Sequence, residues 1–100
     1  MVIDRAALPL LTRAEELAQA GYVTGASTRN WAAYGAEVTL PEGCPDWQRA
    51  LLTDPQTSGG LLVAVGPEAA KGWVQRLRDA GYPLAAIVGR VEEGRGIAVV

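Results

Sequence analysis

The sequence predicts an α+β fold, a mixed β-sheet covered by helices. Three observations predict it. Stretches with apolar residues at helical spacing are interleaved with short apolar runs of strand length. The strongest run, Leu61 to Val65, is bounded by Gly60 and by Gly66-Pro67, the pattern of a strand buried on both faces in the middle of a sheet. The last two strand-like runs are joined only by Glu92-Glu93-Gly94-Arg95-Gly96, which implies an antiparallel hairpin and so a mixed sheet instead of a purely parallel winding.

The elements follow in chain order. Val2-Ile3 reads as the end of a strand. Thr12-Arg13-Ala14-Glu15 fits a capping box, so a helix is predicted over 12–20, with Ala14, Leu17 and Ala18 on one face and Gly21 as its stop. Gly21 to Ser27 is a predicted loop. A short helix is expected over Thr28 to Tyr34, with Trp31 and Tyr34 sharing a face and Gly35 ending it. Glu37 to Leu40 reads as a strand with Val38 and Leu40 inward, and Pro41 to Pro45 as a turn. Asp46 is placed as the N-cap of a helix whose Trp47, Ala50 and Leu51 face inward and which Pro55 ends. After the central run, Pro67 and Glu68 suit the start of the clearest helix. Its apolar face is Ala70, Trp73, Val74, Leu77 and Ala80, and Gly81 and Pro83 mark its end. Gly72 weakens it by roughly 1 kcal/mol relative to Ala. Ala85 to Val91 and Ile97 to Val100 are the strands of the hairpin.

One domain over residues 1–100 is expected at this length. With 49% hydrophobic and 20% charged residues the chain has the composition of a folding domain, not a disordered one. A net charge of −2 gives no electrostatic footprint for nucleic acid. No apolar stretch approaches the roughly 18 residues of a membrane span, so a cytoplasmic protein without membrane contact is expected. The chain has no histidine, which excludes Ser-His and Cys-His nucleophile pairs and histidine metal sites. The single cysteine, Cys44, has no base near it in sequence and reads as an inert thiol. No catalytic and no metal-binding residue is assigned.

The candidate binding residues cluster ahead of the central run. In Asp54-Pro55-Gln56-Thr57-Ser58-Gly59-Gly60, hydroxyls and free backbone N–H groups could cradle a phosphate. The other reading is that the two glycines only allow a sharp turn and close packing. The loop is no Walker motif: no lysine follows the glycines, and it leads into a strand, so no helix dipole faces an anion. Asp54 is read as bracing the loop in preference to holding magnesium, for which one carboxylate is too few. Arg29 could pair with a phosphate and Asn30 could cap a turn, or both are ordinary surface residues.

The block Leu51-Leu52-Thr53-Asp54-Pro55-Gln56-Thr57-Ser58-Gly59-Gly60-Leu61-Leu62 resembles the signature near the C-terminus of selenophosphate synthetases (selenide, water dikinases). Thr24-Gly25-Ala26-Ser27-Thr28-Arg29-Asn30 is similar to that family's Gly-x-Ser-x-x-Asn loop, and Val88-Gly89-Arg90-Val91 to its Ile-Gly-x-Val hairpin. The resemblance covers nearly the whole chain but only the family's C-terminal domain, of the aminoimidazole ribonucleotide synthetase-like superfamily. It implies a domain that follows an N-terminal ATP-binding domain. The family makes selenophosphate, AMP and phosphate from selenide, ATP and water, with magnesium. Its nucleophilic Cys or selenocysteine, essential Lys and magnesium-binding aspartates lie in the N-terminal part and have no counterpart here. The resemblance thus implies a chain inactive alone, needing no cofactor by itself, whose loop Asp54 to Gly60 helps close the phosphate end of a shared active site. The partner implied is the N-terminal domain; a homodimer is a further expectation, because a domain without its partner often self-associates. The alternative is a non-enzymatic module, separated from its catalytic partner domain, that binds another protein or a small anion. A self-contained nucleotide-binding domain is the weakest reading, for want of a lysine and a second carboxylate.

Overall fold

A computed structural model describes residues 1–100 and has an α+β architecture with a mixed four-stranded sheet and four α-helices. The strands are β1 (Val2–Ile3), β2 (Val38–Thr39), β3 (Gly89–Arg90) and β4 (Ile97–Val99), in the order β2-β4-β1-β3. β1 runs parallel to β4 and antiparallel to β3, and β2 runs parallel to β4. The helices are α1 (Ala14–Gln19), α2 (Gly25–Tyr34), α3 (Asp46–Leu52) and α4 (Pro67–Asp79).

The predicted hairpin is not formed as a direct pair, because β1 lies between β3 and β4. Backbone hydrogen bonds tie β1 and its flanks to both neighbours: Val100 N–H donates to Ile3 O at 2.9 Å, Ala98 N–H to Met1 O at 2.9 Å, and Asp4 N–H to Val88 O at 2.9 Å. Burial explains the insertion. Val2 and Val99 are the two buried residues of the sheet, so the short apolar start of the chain gains most from a central position. Residues 91–96 are long enough to step over one strand, since two strand spacings amount to about 10 Å.

The run Leu61 to Val65 is not a strand, and it is not central. It is irregular and exposed, with Leu61 at 93% and Val63 at 67% of their full accessibility. No backbone–backbone hydrogen bond involves residues 55–65. A strand needs a neighbour for its N–H and C=O groups, and neither edge of this sheet, β2 or β3, is paired with this run. An apolar sequence pattern specifies what a segment gains on burial, not which backbone is there to pair with it.

Most helix predictions hold, with shifted ends. α1 starts at Ala14, after Arg13 in the left-handed region at φ 69°, and Thr12 forms no cap. Arg13 instead grips Glu16 through two nitrogens at 3.1 and 3.2 Å, a local pair that replaces the expected capping box. Gly21 and Gly81 follow α1 and α4 with φ of 90° and 96°, as their predicted role as stops requires. α2 begins three residues before its predicted start, because Thr24 caps it by accepting the Ser27 N–H at 3.2 Å. In α3 the N-cap is Pro45, Asp46 is the first helical residue, and the buried side chain is Gln48, not one of the predicted apolar trio. The Cys44 thiol donates to Gln48 Oε1 at 3.3 Å.

α3 packs against both α1 and α2, while α4 stands apart from this trio. The apolar face of α4 is consequently half open to solvent, with Trp73 and Leu77 both exposed. Ala85 to Val88, predicted as the first part of a strand, forms none. Ala85 is held to the end of α4 instead, its N–H donating to Tyr82 O at 3.0 Å and its carbonyl accepting from Arg78 Nε at 3.0 Å.

Candidate functional site

The polar residues that the fold brings together lie where the N-terminal half of α2 meets the C-terminal end of α3. Thr24 precedes α2 in extended conformation, and its Oγ1 accepts the Ser27 N–H. That cap brings Thr24 Oγ1 and Ser27 Oγ to 3.2 Å from each other. One turn further along, Asn30 reaches across to α3 and donates from Nδ2 to Thr53 O at 2.8 Å. Thr53 closes α3 and presents its hydroxyl to Arg49 O at 2.9 Å and to Ser27 O at 3.2 Å. Asp54 comes next, with Oδ1 at 3.4 Å from both the Thr24 and the Ser27 hydroxyls.

The sequence-predicted residues thus divide. Asp54 and Asn30 meet in this cluster, 24 positions apart in sequence. Gln56, Thr57, Ser58, Gly59 and Gly60 extend from it as an exposed loop. Ser58 sits in the left-handed region at φ 55°, and a Cβ added at Gly59 would lie 2.5 Å from Gln56 Oε1, so the Gln56 side chain folds back over the loop's own backbone. Arg29 is exposed on α2 and lies over the start of its own helix, with a guanidinium nitrogen 3.8 Å from the position a Cβ would take at Gly25. Thr24 and Thr53 join the cluster without being among the residues the sequence points to. A threonine before a helix is a readable cap signal, but that a threonine after one would bond a second helix has no local signature.

Beside this cluster a groove of about 340 Å³ is lined by Asn30, Trp31, Tyr34, Val38, Leu52 and Asp54, among others. The predicted shared face of Trp31 and Tyr34 is realised as a wall of this groove. Trp31 is held in place from two sides: the Arg49 guanidinium lies 5.4 Å from its ring centroid, and a Cβ at Gly35 would come within 2.7 Å of its Cε2. Arg49 is itself oriented by Asp46 at 3.0 Å.

The chemistry this arrangement supports is recognition. The loop N–H groups of residues 57–60 donate to no backbone carbonyl, and the hydroxyls of Thr57 and Ser58 stand beside them. Such groups suit an anion such as a phosphate. Asp54 is the single carboxylate of the cluster, and nowhere do three His, Cys, Asp or Glu side chains converge. The Cys44 thiol has the Gln48 amide oxygen for its partner. No helix is long and apolar enough to cross a membrane.

No family model matches the chain. Individual proteins do. The selenide, water dikinase of Rhizobium meliloti is 61% identical over 94 residues, which cover 94% of this chain and 27% of that protein. The selenide, water dikinase of Pseudomonas straminea is 50% identical over 92 residues, 92% of this chain and 26% of that protein. That of Burkholderia pseudomallei is 53% identical over 88 residues, 88% of this chain and 25% of that protein. The chain spans about a quarter of the length of the curated relatives it matches. Over nearly all of its length, then, this chain is similar to a partial region of the selenide, water dikinases, as a C-terminal domain of selenophosphate synthetase would be.

Proposed function

We propose that the chain serves as the C-terminal domain of a selenophosphate synthetase, an ATP-dependent phosphotransferase that converts selenide to selenophosphate in the cytoplasm. The observation that carries this reading is the 61% identity across 94% of the chain to one selenide, water dikinase. In this role the chain is inactive alone. ATP, magnesium and the reacting groups belong to the N-terminal ATP-binding domain, and the loop Asp54 to Gly60, with Asn30 at its base and Arg29 on the same helix α2, closes the phosphate end of the shared site. Gln56, Thr57, Ser58 and the backbone of Gly59 and Gly60 supply neutral hydrogen-bond donors there, and Arg29 a positive charge. The exposed apolar run Leu61 to Val65 and the open face of α4 support an extensive contact with that domain or with a second copy.

The test is complementation. The chain, the remaining three quarters of the Rhizobium meliloti enzyme and their mixture are each given ATP, selenide and magnesium, and AMP formation is followed. The expected result is no turnover by the chain alone and turnover by the mixture well above that of the remainder. ATP consumption by the chain alone would refute its inactivity. Binding of the two parts without turnover would favour the second reading, a non-enzymatic interaction module, for which the same exposed apolar surface speaks.

A further inference from the structure

The loop proposed to meet phosphate has a stiff base and a free arm, and the boundary falls between two residues. Up to Asp54 the backbone is tied on several sides. Thr53 N–H donates to Arg49 O at 3.2 Å, and the Thr53 hydroxyl lies 2.9 Å from the same carbonyl and 3.2 Å from Ser27 O. Thr53 O receives the Asn30 amide at 2.8 Å, and Asp54 N–H donates to Leu51 O at 3.4 Å. From Pro55 to Val65 no backbone–backbone hydrogen bond is made. The Asn30 and Ser27 contacts join positions 23 and 26 apart, so they set where the loop leaves the body instead of stabilising one helix turn.

We infer that Thr53 and Asn30 are positioning residues: a latch between α2 and α3 that aims the arm Asp54 to Gly60 at its ligand. This rests on the reading of that loop as part of a phosphate site. Neither side chain needs to touch the ligand, since Asn30 Nδ2 is spent on Thr53 O and the Thr53 hydroxyl on backbone carbonyls. The leverage is geometric. Fully extended, an arm of this length would reach about 20 Å, and the turn at Thr57 and Ser58 shortens it; at a reach of about 10 Å a tilt of roughly 10° at its base still moves the tip by about 2 Å, while a displacement of about 1 Å at a reacting centre already costs on the order of a hundredfold in rate.

The test uses Thr53→Val, which keeps shape and removes the hydroxyl, Asn30→Leu, which removes the amide donor, and Thr53→Ser as the conservative control. In the complemented assay T53V and N30L are expected to raise the KM for ATP at least tenfold. T53S should stay within about twofold of the unmodified chain. A lowered melting temperature with an unchanged KM at saturating chain would overturn the inference, leaving the pair a purely structural role. Where T53V does not fold, N30L alone decides. If the unmodified chain gives no complementation, it is the reading of the function that fails. The latch is then decided by ¹⁵N heteronuclear NOEs on the chain itself. Rigidity ending at Asp54 in the unmodified chain but already at Leu52 in N30L supports it, and identical profiles overturn it.

Discussion

Gly35 shows how one missing methyl shapes the groove. A Cβ there would stand 2.7 Å from Trp31 Cε2 and 2.8 Å from Cδ2, and the indole cannot yield easily because Arg49 lies over its ring. Gly35→Ala is therefore an overpacking change and is expected to cost about 1–3 kcal/mol. Thermal unfolding should report a drop of roughly 4–8 °C per kcal/mol for a chain of this size, and the tryptophan emission should shift as Trp31 is displaced. An unchanged melting temperature would mean that Trp31 has room to move. Gly96 carries a different constraint: its φ is 75°, and a Cβ would lie 2.6 Å from Glu37 O, so it admits the close approach of β4 to the residue before β2. The sequence marks Gly35 as a helix stop and Gly96 as a turn residue, and both are that. What it does not reveal is their second duty, which depends on partners far along the chain.

α2 is the element on which the candidate site is built, and its first turn carries most of the polar contacts. Thr24 caps it, and Thr24 and Ser27 both face Asp54. Thr24→Ala is expected to cost about 1 kcal/mol through the lost cap, while Thr24→Ser retains most of it. Urea unfolding should show this as a lower midpoint with an unchanged slope. An equal midpoint for the alanine variant would remove the cap from the account. The sequence reading starts this helix too late because Gly25-Ala26-Ser27 has the composition of a loop. The segment becomes helical once Thr24 supplies the first hydrogen bond and α3 packs alongside. α1 errs in the opposite sense, since a good capping-box sequence yields to the Arg13–Glu16 pair. The largest departure is Leu61 to Val65. Its composition describes a central strand, yet no neighbouring strand engages it. α4 by contrast is legible almost to the residue, because Pro67, Gly81 and a helical apolar period are all local signals.

At the scale of the molecule the apolar surface is incompletely buried. The accessible area is 7791 Å², against about 5,400 Å² for a compact folded monomer of this mass. The radius of gyration is 14.5 Å, against about 13 Å for 100 compact residues. In residues 61–91 Leu61, Leu62, Val63, Trp73, Leu77, Leu84 and Val91 are all exposed. Apolar patches of such extent mark surfaces that contact other protein. The chain is accordingly expected to enhance the fluorescence of an apolar dye such as ANS, and addition of the remaining three quarters of the Rhizobium meliloti enzyme should quench that signal. A dark chain, or a signal untouched by the partner, would contradict this account of the surface. The sequence by itself determined the α+β class, the helices from their periods and stops, and the likeness to part of the selenide, water dikinases, because each of these is written in local pattern or in direct residue identity. Only the tertiary structure decided that Val2-Ile3 takes the inner place beside β4, that Leu61 to Val65 lies in solvent, and that Thr53 bridges α3 to α2. Those outcomes are choices among distant backbone partners, and a strand or a hydrogen-bonding side chain carries no local mark of which partner it will meet.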